Sequence, residues 1–202
     1  MTADAETKNT RAILAVVYTD GIAADRFLAD LGYGLRDMGV HVAGLVQHNQ
    51  FLRDRAKCDM DIEELASGDI LRISEYRGNS ARGCRLDRSA LSDALGLLKR
   101  ALAEEPAVLV LNKFGKVEAE GGGVRDTIAE AAELGIAVVV GVPARNLDQW
   151  RNFAGDLADE SELDQVRVKR WLVTRNIIQA CDMSGATISE IPVHADGTES
   201  PE

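Results

Sequence analysis

Short apolar runs separated by helical patterns organise this chain. Ala12 to Tyr18 is uninterrupted in apolar character and gives way to Thr19-Asp-Gly21, as a buried strand does where it ends in a turn. Phe27, Leu28, Leu31, Leu35 and Met38 then recur at spacings of three and four, which predicts an amphipathic helix closed by Gly39. Val40 to Gln47 reads as a second strand. A strand, helix, strand opening normally makes parallel strands joined by a right-handed crossover.

The pattern changes in the middle. Met60 to Leu65 and Ile70 to Ser74 flank Ala66-Ser-Gly-Asp69, which predicts an inserted β-hairpin. Two polar stretches, 49–57 and 75–85, border it as candidate lids or site walls. Asp87 is placed to cap a helix with the stripe Leu91, Leu95, Leu98 and Leu102, and Pro106 opens the next strand. Gly121-Gly-Gly123 precedes a helix through Ile128, Ala131 and Leu134, closed by Gly135 and followed by a strand over 136–142. Asn146 then caps a helix carrying Leu147, Trp150, Phe153 and Leu157. Past Ala158 the pattern weakens; 166–173 and 186–193 read as strands, and 194–202 as a polar tail. These elements predict an α/β protein with a mainly parallel sheet flanked by helices. The predicted division is a flexible N-terminus over 1–10, an α/β domain over 11–157 and a C-terminal extension over 158–202.

Composition narrows the class. With 202 residues, 46% hydrophobic and 28% charged, the chain has the material for one ordinary core. A formal charge of -10 argues against nucleic acid as a partner, whose binders present a basic face. The apolar runs fall far short of the roughly 20 residues that span a bilayer, so no membrane insertion is expected. The polar start, 1–11, lacks the apolar segment of a secretory signal. The expected location is therefore cytoplasmic. Homo-oligomerisation is left open.

Candidate chemistry gathers where predicted strands end. In α/β sheets ligands sit at the carboxyl ends of the strands, and Val108-Leu-Val-Leu111 runs straight into Asn112, Lys113 and Lys116. Arg145 and Asn146 follow the strand over 136–142, and the loop Gly78 to Arg85 supplies Arg82, Cys84 and Arg85. With Arg125 these form a basic constellation on a strongly acidic chain, the electrostatics of an anion site. The competing explanation pairs Lys113, Lys116 and Arg125 with Glu118, Glu120 and Asp126 as solvated ion pairs. Cys84 lies between Gly83 and Arg85, and basic neighbours favour its thiolate; it and Cys58 are the candidates for a metal. The spacing of His41, His48 and His194 suggests no metal motif.

A nucleotide-hydrolysing phosphate loop, GxxxxGK followed by Ser or Thr, holds phosphates on backbone N–H groups and a lysine. The corresponding turn, Tyr18 to Arg26, contains one glycine and no lysine. The strand that would deliver a magnesium-orienting acid ends in Asn112-Lys113 instead. Hydrolysis is therefore not expected, and no catalytic residue is assigned.

Four strings resemble an uncharacterised bacterial family often encoded beside molybdate-transport genes, some of whose members carry the label of molybdenum transporter ATP-binding proteins. They are Lys57-Cys-Asp-Met60 with Leu65-Ala-Ser-Gly68, Arg82-Gly-Cys-Arg-Leu-Asp87, Asn112-Lys-Phe-Gly-Lys-Val-Glu-Ala-Glu-Gly121, and Arg145-Asn-Leu147 with Trp150 and Phe153. More distantly the layout is similar to thermophile-type nucleoside-triphosphatases, in which a strand ends Asp-Glu-x-Gly-Lys-x-Glu. Here Gly115, Lys116 and Glu118 are kept and both acids are lost. The resemblance implies a P-loop-NTPase-like fold with a degenerate phosphate loop and the inserted hairpin. It also makes molybdate or tungstate the candidate ligand of an oxyanion-binding protein linked to molybdenum handling. Two alternatives stand beside it: a nucleotide-binding protein or triphosphatase with a nonstandard phosphate grip and Glu118 or Glu120 as base, and a partner-binding regulator.

Overall fold

A computed structural model of the protein describes residues 11–50, 59–74 and 87–184. A sheet of seven strands forms the middle layer, in the order β4-β3-β2-β5-β6-β1-β7. The strands are β1 (Ile13–Tyr18), β2 (Val42–Gln50), β3 (Asp59–Glu64), β4 (Ile70–Arg72), β5 (Val108–Leu111), β6 (Ala137–Pro143) and β7 (Ala158–Ser161). Helices α1 (Gly21–Asp37), α2 (Arg88–Leu102), α3 (Lys116–Ala119), α4 (Arg125–Glu133), α5 (Leu147–Ala154) and α6 (Gln165–Thr174) complete the described regular structure. β2, β5, β6, β1 and β7 run parallel, while the inserted β3-β4 hairpin adds to β2 antiparallel. This is the mainly parallel α/β sheet expected from the sequence, and its parallel strand order is consistent with a P-loop-NTPase-like layout.

Side-chain alternation along each strand divides the core in two. Leu14 and Val16 of β1, Val108 and Val110 of β5, and Val139 of β6 face Leu28, Leu31 and Leu35 of α1 and Val168 and Leu172 of α6. The opposite parity, Ile13, Leu109, Leu111, Val138 and Val140, packs against Leu98 and Leu102 of α2, Ile128 of α4 and Trp150 of α5. A period of two on the strands and near 3.6 on the helices dictates this arrangement. Gly44 serves the close approach of β2 to β5: a Cβ there would sit 1.9 Å from the Val110 carbonyl oxygen.

Two expectations change. Residues 166–173 lie in helix α6 rather than in a strand, because Asp164 caps the N-terminus through Val166 N and Arg167 N and Val168, Trp171 and Leu172 form a helical buried stripe. Ala158–Ser161, unremarkable in sequence, is strand β7 on the edge beside β1. Sheet pairing and core packing thus continue past residue 157. The stretch 186–193, read as a strand, lies outside the described residues, as does the polar tail.

Candidate functional site

β1 delivers its last residue, Tyr18, to the carboxyl edge of the sheet, and the chain turns at once into α1. Asp20 caps that helix, its Oδ1 accepting from Ile22 N at 2.9 Å and Ala23 N at 3.1 Å. A carboxylate thus sits on the amides that a phosphate loop would offer to an anion. The turn is too short, and its helix terminus already engaged, for the usual phosphate grip.

The chain from β1 leaves over the α1 face, whereas the chains from neighbouring β6 and from β5 lead to helices packed on the opposite face. Diverging connections mark the strand ends, the position where such sheets bind ligands. Tyr18, Gly141 and Asn112 continue the α1-facing parity of β1, β6 and β5 to this position. A Cβ on Gly141 would lie 2.7 Å from Leu28 Cδ1, 3.3 Å from Tyr18 Cε1 and 3.9 Å from Asn112 Oδ1, so these three side chains pack together over this glycine.

Asn112 donates from Nδ2 to Asp25 Oδ1 at 2.7 Å, a buried contact between the end of β5 and the second turn of α1. Its Oδ1 and the Tyr18 hydroxyl are both buried without a hydrogen-bond partner among the described residues. Burial raises the Tyr18 pKa first, nearby Asp25 raises it further, and Arg145 opposes both. Tyr18, Asp25, Asn112 and Arg145 therefore form one electrostatic group. The peptide bond between Asn112 and Lys113 is cis. Lys113 is half-buried, its stem beside Gly115, and makes no hydrogen bond or ion pair from its ammonium among the described residues.

Other basic candidates have different partners. Lys116 is almost fully exposed and lies 3.6 Å from Glu120, the solvated ion pair that competed with a ligand role. Arg125 places its guanidinium 4.4 Å over the Phe153 ring and donates to the Glu118 carbonyl oxygen. Asn146 donates from Nδ2 to the Phe114 carbonyl oxygen at 3.1 Å, tying the end of β6 to the loop after β5. Glu118, weighed as a base, is buried and accepts from Gly115 N at 2.8 Å and Val124 N at 3.2 Å. Arg82, Cys84, Arg85 and Cys58 lie outside the described residues.

Sequence reasoning missed Tyr18 and Asp25. Tyr18 passed as the last apolar residue of a strand, and Asp25 as part of the turn compared with a phosphate loop. The available signal was register: Asp25 stands three and four residues before Leu28 and Ala29 on the buried side of α1. Also missed was a cleft of about 600 Å³ between α1 and strands β2, β3 and β4, with Asp25 in its lining. There Tyr33 donates its hydroxyl proton to Glu63 Oε2 at 2.5 Å, and His48 Nε2 lies 3.0 Å from that oxygen.

Residues 13–171 match the model of DUF2478, a family described as a protein of unknown function, and the chain belongs to that family. It is also similar to Molybdenum import ATP-binding protein ModC 2 of Bradyrhizobium diazoefficiens, with 30% identity over 161 residues, 79% of this chain and 18% of that protein. The chain thus spans less than a fifth of that relative's length. No solved structure matches it.

Proposed function

We propose that this DUF2478 member binds a small tetrahedral oxyanion at the carboxyl edge of its sheet. Molybdate and tungstate are the candidates, and the role is in molybdenum handling without nucleotide hydrolysis. One observation carries the reading: Lys113, with no acidic partner among the described residues, and an exposed arginine, Arg145, follow the ends of β5 and β6 near Tyr18, whose buried phenol hydroxyl has no hydrogen-bond partner among the described residues. Lysine and arginine supply charge to an oxyanion and the phenol supplies a directed donor. Asn112 contributes by fixing Asp25; its free Oδ1 is an acceptor and does not touch an oxyanion oxygen. The name of the similar ModC 2 protein supports the link to molybdenum and equally supports a rival, a nucleotide held by a nonstandard grip.

Thermal unfolding with sodium molybdate, tungstate, sulfate, phosphate or Mg-ATP, each added separately, tests this. A ligand at 100 times its Kd adds about 2.7 kcal/mol to native stability, and each kcal/mol moves the Tm of a chain this long by about 2–4 °C. The expected result is a shift of several degrees with molybdate or tungstate that disappears in the Lys113→Ala, Arg145→Ala double variant. A shift with Mg-ATP alone would replace the oxyanion by a nucleotide. No shift with any of them would overturn both readings.

A further inference from the structure

We propose that the open side of β7 and the adjoining flank of α6 dock an acidic, extended segment of another polypeptide, added to the sheet as its next strand. β7 ends the sheet, with β1 on one side and no strand among the described residues on the other. Its outer N–H and C=O groups are those that an incoming strand pairs with. Side chains alternate along it: Asp159 meets Trp171 of α6, whereas Glu160 meets Arg151 of α5 on the opposite face. A strand laid beside β7 would likewise point every second side chain at the flank of α6.

That flank is cationic. Arg167, Arg170, Trp171, Thr174 and Arg175 follow one another at helical spacings of three and four, and the bond from Trp171 to Asp159 turns this stripe towards the sheet edge. Asp and Glu are 33 of the 202 residues, yet none falls between Asp164 and Asp182, so the stripe has no acid within it. Arg167 has Asp164 at 3.6 Å, an exposed pair of little strength. Arg170 is exposed and makes no hydrogen bond or ion pair among the described residues.

Arg175 is an independent observation. Its guanidinium lies 4.2 Å over the Trp171 ring, with Nε and Nη2 buried and without a partner. Burial lowers its pKa, against the opposing charge of Asp159. Asp159 is already engaged at both oxygens, Oδ1 accepting from Arg11 Nη1 at 2.7 Å and Oδ2 from Trp171 Nε1 at 2.9 Å. A desolvated cation short of acceptors is stabilised by a further carboxylate brought alongside. The spacing suits an extended donor of such carboxylates: four residues of helix rise about 6 Å and two residues of strand about 6.6 Å. Acids at alternate positions of the incoming strand therefore keep step with the stripe from Arg167 to Arg175.

The test titrates the full chain, at low ionic strength, with a peptide alternating threonine and glutamate, followed by calorimetry and NMR. Saturable binding is expected, moving the amide signals of Asp159 and Ser161 and the Nε–H signals of Arg170 and Arg175. The Arg167→Gln, Arg170→Gln double variant is expected to bind about tenfold more weakly. Both side chains are exposed, so its Tm and any molybdate-induced shift stay unchanged, which separates failure here from failure of the oxyanion reading. The same peptide with every backbone nitrogen methylated keeps the charge, loses the strand-pairing donors and should also bind about tenfold more weakly. Equal binding of the methylated peptide, or its displacement of the parent peptide at equal concentration, would reduce the attraction to charge and overturn strand addition. No saturable binding, undiminished affinity in the double variant, or outer β7 amides already protected from hydrogen exchange in the peptide-free chain would each overturn the assignment.

Discussion

An unsatisfied buried hydroxyl costs a protein about 1–3 kcal/mol, and Tyr18 carries one at the end of β1. A phenylalanine there keeps the ring and removes the cost. Tyr18→Phe should therefore leave the ligand-free protein equally stable or about 1 kcal/mol more stable, while reducing its molybdate-induced Tm shift. The pH dependence gives a second signature. Tyr18 has a folded-state pKa raised above its unfolded value, through burial and then Asp25. The contribution of a raised pKa is fully present below the unfolded tyrosine value of about 10 and is lost as pH climbs towards the folded one. Wild type should thus lose stability more steeply than Tyr18→Phe above about pH 10, measured by urea unfolding across that range. Tyr33, also raised in pKa, is common to both chains and cancels in the difference. Lys113 and Arg145 were legible in sequence because charge at a strand end stands out. The hydroxyl was not, because its significance lies in lacking a partner, which only three-dimensional packing reveals.

The loop from Asn112 to Arg125 behaves as an element in its own right. Phe114 anchors it, fully buried with its centroid 5.1 Å from that of Trp150 and 5.7 Å from that of Phe153. Glu118 fastens both of its arms by accepting from Gly115 N and Val124 N. The glycine run serves that fastening: Gly123 has φ +62, and a Cβ there would fall 1.8 Å from Glu118 Oε1. A sequence reading could see glycines beside a basic cluster and infer backbone approach to a ligand, yet the atoms approached are those of Glu118. Removing the carboxylate leaves two amides without acceptors, so Glu118→Ala should cost about 2–3 kcal/mol, with Glu118→Gln milder because one acceptor remains. The check is a lower urea midpoint at unchanged slope. Unaltered stability would show that the fastening contributes nothing. The same scale explains the two elements misread in sequence. α6 carries β-branched Val166, Val168 and Val173, which favour strands locally, but Asp164 and the spacing of its buried residues decide for helix. β7 is Ala-Asp-Glu-Ser, whose polar residues suit an edge position and give no apolar signal.

For the molecule as a whole, the apolar periodicity revealed the alternation of strands and helices but not the strand order. Local pattern carries no record that β1 lies between β6 and β7, although that placement brings the end of β1, with Tyr18, beside the end of β6, which leads to Arg145. It also makes the segment after residue 157 part of the sheet. β7 pairs with β1 from Ile13↔Ala158 to Val16↔Ser161, and Trp171 donates its indole N–H to Asp159 Oδ2 at 2.9 Å. Val168, Trp171 and Leu172 belong to the core that also holds Leu14, Val16 and Leu28. Burying each such side chain contributes about 1.5–3 kcal/mol, against a net stability of about 5–15 kcal/mol for a typical domain. Losing three of them together, with an edge strand, is comparable to the whole margin. A chain ending at Leu157 should therefore show no cooperative thermal transition and should aggregate, whereas one ending at Ser184 keeps every described element and should unfold cooperatively. If the shorter chain folded and still answered to molybdate, 158–202 would be a separable extension, free to dock a partner. If only the longer one folds, β7 and α6 are structural, and the strand ends at Tyr18 and Arg145 depend on residues that come after them in sequence.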